Sequence, residues 1–474
     1  MTAWLPPYGS LAGELVRMAL VLAAFGALFA AAELWHRRGA PPVEWTRKLV
    51  HLGGGLICAA FPWLFAHQWP VLAIALVALA GFALAGRHQA LASVTAVERR
   101  SRGEKWFPVG VYLLFVVARH EPAYWLIALA TLVFADSAAA LIGRAYGRLE
   151  FAVGEDRKTL EGSLVFMLVT FLAVHLVLLL GTPIERAASV MVAAQIALLM
   201  ASFEAISMRG NDNIVVPLGA YYLLIKMASR PAGDIALQLG AQAGLLAITV
   251  LIAWRTRFLT LSGAIAAHLV LYAAFSLGGP AWTLAPLGAL AGYLALDGRY
   301  RAARGAPHGG HQVQAIYYTS IVGVLTIFAD NSFATLLPVH DSLRYGHPFH
   351  PLFVGAFAAP LAIIAYEMLE TVPLARHRPA ALRGTSAIGI AALCVGWPGL
   401  AVLGPHATIE TIAIAALTTV LGLAVYLTLR RWLKLGEAVA GRLRLAAFAT
   451  LLATLAAMAV HFAWEGIRPW ELTS

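Results

Sequence analysis

Charge is scarce in this chain, and so are cysteine and lysine. Only 12% of the 474 residues are Asp, Glu, Lys or Arg, against 60% hydrophobic. A soluble globular domain carries about twice that charge, so the composition excludes one. The two cysteines, Cys58 and Cys394, both fall in apolar runs and exclude a disulfide framework. The start lacks a basic n-region and a small-residue cleavage site, so the first apolar run is expected to stay as a helix. No Gly-x-x-x-x-Gly-Lys-Ser/Thr occurs, which excludes a P-loop kinase at motif level. His-Glu-x-x-His, a cysteine cluster and Gly-x-Ser-x-Gly are absent too.

What is present in quantity is apolar sequence. About sixteen runs are long enough, or nearly so, to cross a hydrocarbon core of ~30 Å as helices. They lie near 11–34, 48–66, 70–86, 106–118, 123–143, 163–181, 185–207 and 214–227, then 237–253, 258–277, 280–296, 311–329, 351–369, 385–403, 408–430 and 440–463. The runs are continuous rather than alternating, which favours helices over strands. The expected fold is therefore all-α, a polytopic transmembrane bundle, with 106–118 and 214–227 short enough for half-helices. Most Lys and Arg collect in every second loop. By the positive-inside rule that face is cytoplasmic, with both termini on the other side of a bacterial inner membrane. The basic residues are dispersed over short loops, which argues against a nucleic-acid partner. A polar stretch, Ser229 to Asp234, marks the expected boundary between membrane domains 1–232 and 233–474.

Against this background three charged motifs in the first 165 residues stand out, because ions near lipid are costly unless they serve a polar site. Arg47, Lys48 and His51 open the second run, spaced to share one helix face. The set suits a phosphate-bearing ligand: two cations neutralise oxygens and an imidazole donates or shuttles a proton. The same residues would also serve as a positive-inside anchor. Asp136, Ala140, Gly143 and Gly147 form one stripe at about 100° per residue. A carboxylate above small residues offers a metal ligand beside a surface that a nucleotide can approach, and Mg²⁺ is commonly held by one or two carboxylates plus substrate phosphates. The glycines alone would equally make a helix-packing seam. Lys158, Thr159, Glu161 and Gly162 end a polar loop and open a helix, where free N–H groups and a full charge attract anions; Glu161 would also serve as a first-turn acid. A fourth cluster holds Glu204, Asn211, Asp212 and Asn213, able to supply a second metal ligand, a base or ribose contacts, or simply a capped polar turn.

Taken in order, these pieces resemble the phytol kinase and dolichol kinase family, polytopic lipid-alcohol kinases that use CTP, over about residues 40–228. The matching elements are Arg47-Lys48-x-x-His51, Gly103-Glu104, Asp136 with Ala139, Gly143 and Gly147, Lys158-Thr159-x-Glu161-Gly162, and Asn211-Asp212-Asn213 with Pro217. The resemblance implies an integral-membrane kinase that phosphorylates an isoprenoid alcohol such as phytol from CTP with Mg²⁺, the partners being a lipid-soluble alcohol, a nucleotide and the surrounding lipid. In that reading Arg47, Lys48, His51, Asp136, Lys158 and Glu204 are catalytic. The nucleotide would meet Arg47, Lys48, Gly143, Gly147, Lys158, Thr159, Glu161, Gly162, Asn211 and Asn213, and the metal Asp136 and Asp212. Residues 233–474 more faintly resemble phytyl-phosphate kinases through Leu259–Gly263, Gly278-Gly279 and Gln312, while the Asp-Thr-x-x-Ser-Glu element of that family has no clear counterpart. The competing class is a transporter or flippase for an anionic lipid or metabolite, for which sixteen helices in two halves would also serve.

Overall fold

The computed structural model describes residues 6–88, 103–208, 210–304, 310–336, 347–401, 409–433 and 439–465. The sixteen apolar runs are helical over most of their described lengths, 48–66, 123–143 and 385–403 each in more than one segment. Eleven described helices are long and apolar enough to cross a membrane, which makes this a multi-pass membrane protein. The basic loop at 89–102, and with it the motif-flanking Arg102, lies outside the described residues.

The chain divides into two compact units, Met1–Gly240 and Ala241–Ser474. The first contains α1 (Leu11–Gly39), α2 (Val43–Ala59), the short α3 (Phe61–Leu64), α4 (Trp69–His88), α5 (Gly103–Ala118), α6 (Pro122–Ala130) and α7 (Asp136–Tyr146). A π-helical turn at Thr131–Ala135 joins α6 to α7. A β-hairpin follows, β1 (Glu150–Val153) with β2 (Asp156–Thr159), then α8 (Leu160–Gly181), α9 (Arg186–Ile206), α10 (Asp212–Ala228) and α11 (Ala232–Thr256), which runs past the unit boundary.

Helix α8 shows how the environment is written into the sequence. Phe166, Thr170, Val174 and Leu178, four apart, are buried. Leu164, Leu168, Leu172, Leu176 and Leu180, also four apart, are exposed. A continuous leucine stripe in the open is what lipid accommodates and water does not. The two short runs are continuous helices, α5 and α10, each with an internal proline, Pro108 and Pro217. They pack closely where a side chain at Gly110 would strike the Asn213 carbonyl.

The hairpin was not expected from sequence, where 144–162 reads as a plain polar loop. Its register pairs Phe151 with Lys158 and Val153 with Asp156. Gly154 takes φ +62° at the first turn position, a conformation that costs glycine nothing and that two-residue hairpins require.

The second unit centres on α15 (His350–Thr371), buried along most of its length. Around it stand α12 (Leu261–Gly278), α13 (Leu284–Arg304), α14 (Val313–Leu336), a short α16 (Pro373–Arg376), α17 (Ala380–Ala391), α18 (Trp397–Ala401), α19 (Ile409–Trp432) and α20 (Val439–Glu465). Its charged groups pair helices: Arg430 of α19 binds Glu370 at 2.7 Å, and Tyr426 donates to Glu367. Asp330 accepts from the Phe349 amide at 3.1 Å and pairs with His347 at 2.8 Å. The glycines singled out in the second half from sequence have packing and turn roles here. Gly263 admits the His311 carbonyl, Gly278 admits the Trp282 ring, and Gly279 turns the chain at φ +85°.

Candidate active site

All four motif clusters meet at one cavity of about 1130 Å³ within the first unit. Helix α2 brings Arg47, Lys48 and His51. Lys48 Nζ lies 2.5 Å from Asp136 Oδ2, with the Lys48 side chain only 5% exposed. His51 Nε2 is 3.2 Å from the Leu132 carbonyl, inside the π turn, and 3.5 Å from Asp136 Oδ2. Such wide turns recur at functional sites; this one sits directly before Asp136 and carries the carbonyl that orients the imidazole. Arg47 is held by Glu44 at 3.0 Å, and Arg144 reaches the other Glu44 oxygen at 3.7 Å.

The second charged pair comes from the hairpin. Lys158, the penultimate residue of β2, reaches the C-terminal end of α9. Its ammonium donates to Glu204 Oε1 at 2.6 Å, to Ser207 Oγ at 2.8 Å and to the Glu204 carbonyl. Ser207 Oγ in turn donates to Asp212 Oδ2 at 3.1 Å. Burial works against the Lys158 charge, but the Glu204 and Asp212 carboxylates outweigh it and hold its pKa above the ordinary 10.5; Asp136 adds to the effect from across the cavity. The site is thus two lysines and three acids in one field, the cations already neutralised by carboxylates.

Close backbone approach assembles the two halves. A Cβ at Gly143 would fall 2.7 Å from Thr159 Oγ1 and 3.3 Å from the Gly162 Cα, and one at Gly147 would strike Thr159. The small stripe of α7 is therefore a packing seam against the start of α8, and it also lines the cavity. Thr159 caps α8 by accepting from the Gly162 amide at 3.2 Å.

Of the residues given a catalytic, nucleotide or metal role from sequence, two lie apart from the cavity lining. Glu161 accepts from the Arg148 and Leu149 amides at 2.9 and 3.1 Å, fixing the loop ahead of the hairpin. Asn211 accepts from the Met208 amide at 3.0 Å and precedes α10. Asn213 lines the cavity, its amide nitrogen donating to the Gly210 carbonyl and to Asp212 Oδ1. Sequence reading passed over Glu44, Ser207 and Phe107. Glu44 and Ser207 were legible in part, one at i−3 from Arg47 and the other inside the 204–213 cluster. Phe107, whose ring lies 4.8 Å from that of His51, belongs to the aromatic-Pro stretch that follows Gly103-Glu104 but had no role assigned from sequence.

Among the described residues no group of three His, Cys, Asp or Glu side chains forms a ready-made metal centre. The carboxylates of Asp136 and Asp212 both border the cavity.

Neither a protein-family model nor a solved structure matches the chain. A curated protein does: the phytol kinase of Synechocystis sp. is 35% identical over 208 residues, which cover 43% of this chain and 88% of that protein. By that relationship the chain belongs to the phytol kinase family.

Proposed function

We propose that this protein is an integral-membrane kinase that transfers a phosphoryl group from CTP to an isoprenoid alcohol, phytol or a related polyprenol, at the cytoplasmic face of a bacterial inner membrane. The observation that carries the reading is one cavity with two characters. Paired lysines and acids line one end, and Phe25, Phe61 and Ile74 line the other. A lipid alcohol needs that combination, its tail among apolar walls and its hydroxyl beside groups that manage phosphate charge.

In this reading Lys48, Lys158 and Arg47 bind the phosphate oxygens as fixed cations. Gly143, Gly147 and Gly162 line the cavity beside the nucleotide, while the room left by their missing side chains serves the α7–α8 seam. Asp136 and Asp212 are the acids that would hold Mg²⁺, which suits an ion commonly bound by only one or two carboxylates plus phosphates. When bound, the metal neutralises charge on the transferring group. His51 is better placed than Glu204 to take the hydroxyl proton. Glu204 is already engaged by Lys158, whereas His51 stands on α2 between the charged end and the apolar end. With Nε2 donating to the Leu132 carbonyl, the neutral ring leaves Nδ1 as acceptor. The CTP preference rests on the family resemblance alone.

The proposal assigns this chemistry to a domain of residues 1–232 and assigns no second phosphoryl-transfer site to 233–474. The test is direct: full-length protein in lipid nanodiscs, labelled CTP or ATP, and a panel of lipid alcohols. Label appearing in a prenyl monophosphate supports the reading, and no transfer to any alcohol sinks it.

A further inference from the structure

Every hydrogen on the Lys158 ammonium has a partner. An ammonium carries three N–H donors and no acceptor. Here they go to Glu204 Oε1 at 2.6 Å, to the Glu204 carbonyl, and to Ser207 Oγ at 2.8 Å. The last of these fixes a direction. Ser207 Oγ receives from Lys158, so its single O–H is left to donate, and it donates to Asp212 Oδ2 at 3.1 Å. One chain of hydrogen bonds, each polarising the next, thus runs from the hairpin through Ser207 to the first residue of α10.

The turn between α9 and α10 does not need that hydroxyl to hold its shape. The Ser207 amide donates to the Glu204 carbonyl at 3.0 Å, and the Met208 amide to Asn211 Oδ1 at 3.0 Å. Gly210 takes φ +84°, and its carbonyl accepts from Asn213 Nδ2 at 3.1 Å. The Ser207 side chain makes none of these bonds, yet it is buried and lines the cavity. What it holds is a carboxylate. Asp212 Oδ1 is fixed from within α10, by the Asn213 amide at 3.0 Å and Asn213 Nδ2 at 3.3 Å. Among the described residues, Ser207 is the one group outside α10 that hydrogen-bonds Oδ2.

We propose that Ser207 is a positioning residue for phosphoryl transfer. Its hydroxyl sets the rotation of the Asp212 carboxylate and ties it to Lys158. The carboxylate offered to a divalent cation and the ammonium whose charge faces the phosphates are thereby placed as one unit. Carboxylates that hold a metal are commonly oriented by such outer hydrogen bonds, and losing one weakens the metal by ~10-fold or more. The inference rests on the reading that Asp212 faces Mg²⁺ in the nucleotide complex. Ser207 itself touches neither the metal nor the alcohol in this scheme.

The test measures equilibrium binding of labelled CTP to full-length protein in nanodiscs, without alcohol, once with Mg²⁺ and once with EDTA. The ratio of the two dissociation constants isolates what the cation adds. In Ser207→Ala that ratio should fall by ~10-fold, while the Kd in EDTA keeps its wild-type value. Ser207→Thr retains the hydroxyl and should retain the ratio, and Asp212→Asn should lose it as Ser207→Ala does. Equal weakening with and without Mg²⁺ in Ser207→Ala would mark a purely structural residue and overturn the proposal. An unchanged ratio in Ser207→Ala beside a lost one in Asp212→Asn would also overturn it, leaving the metal assignment in place. If Asp212→Asn keeps the ratio too, or the wild type gains nothing from Mg²⁺, the metal assignment falls and the positioning role falls with it. The expected Mg²⁺ dependence of binding, with no alcohol phosphorylated, keeps Ser207 in its role and sinks the kinase reading.

Discussion

Lys48 and Asp136 stand 88 residues apart in the chain and 2.5 Å apart in space, joining the first charged motif to the second. The pair fixes the start of α2 against the start of α7 and puts an ammonium and a carboxylate at the charged end of the cavity. Removing one partner of a largely buried ion pair leaves a charge uncompensated and destabilises by several kcal/mol. Asp136→Asn and Lys48→Met should therefore each lower thermal stability, and the double variant should lose less than the two single losses added together. All three should lose phosphoryl transfer by ~10²-fold or more while still inserting in the membrane. Near-normal turnover in a folded Asp136→Asn would remove Asp136 from the site.

Lys158 is the second anchor, and its behaviour with pH can be stated. Its folded pKa is raised by Glu204 and Asp212 against the effect of burial. A raised lysine contributes fully below its ordinary 10.5 and loses that contribution only as pH climbs through the higher folded value. Over about pH 6 to 9 it stays an ammonium. Lys158→Ala should then lower activity by a constant factor across that range. A wild-type to variant ratio that changes with pH would show that Lys158 titrates in the working range and exchanges protons instead of holding charge.

How much of this was legible beforehand differs by level. Helices were, because sixteen continuous apolar runs leave few alternatives in a lipid-soluble chain. The candidate site residues stood out as scattered polar exceptions, since Arg47, Asp136 and Lys158 each break an apolar background. Their pairing was not, because nothing in a single sequence says that Lys158 meets Glu204 rather than Asp136. The hairpin escaped since Asp156-Arg157-Lys158-Thr159 is a polar strand with no apolar alternation, and Gly154 was its only turn signal. Glu161 shows the opposite case: its motif position is equally compatible with a ligand contact and with the backbone bonds to Arg148 and Leu149 that it makes.

The donor preference is tested by competition. With phytol and Mg²⁺, kcat/KM for CTP should exceed that for ATP, and chelation of divalent ions should abolish transfer that added Mg²⁺ restores. Equal use of ATP across several alcohols would count against the CTP assignment and leave the charged site untouched.

Orientation is tested by labelling. The side chain of Arg157, at the hairpin, is 77% exposed, so a cysteine there will not disturb the core. In a background with Cys58 and Cys394 replaced, Arg157→Cys and Arg102→Cys should react with a membrane-impermeant thiol reagent only from the cytoplasmic side. Reaction from outside would separate the site from cellular nucleotide and defeat the proposed function.

The last expectation concerns the division of labour. Every residue lining the cavity lies between Leu22 and Asn213, on α1 to α5, α7 to α10, the hairpin and their connections. The boundary between compact units falls at Gly240, inside α11, so a cut there would divide a helix, whereas the Ser229–Pro231 turn before α11 is a natural end. Residues 1–232 expressed alone should then keep a measurable fraction of alcohol phosphorylation, with lower thermal stability from the loss of α11. Residues 233–474 should phosphorylate no alcohol, because all four charged motif clusters and the cavity they line lie in the first unit. A well-inserted 1–232 that stays silent until 233–474 is co-expressed would show that the second unit completes the site. That result would overturn the division at 232 while keeping the kinase assignment.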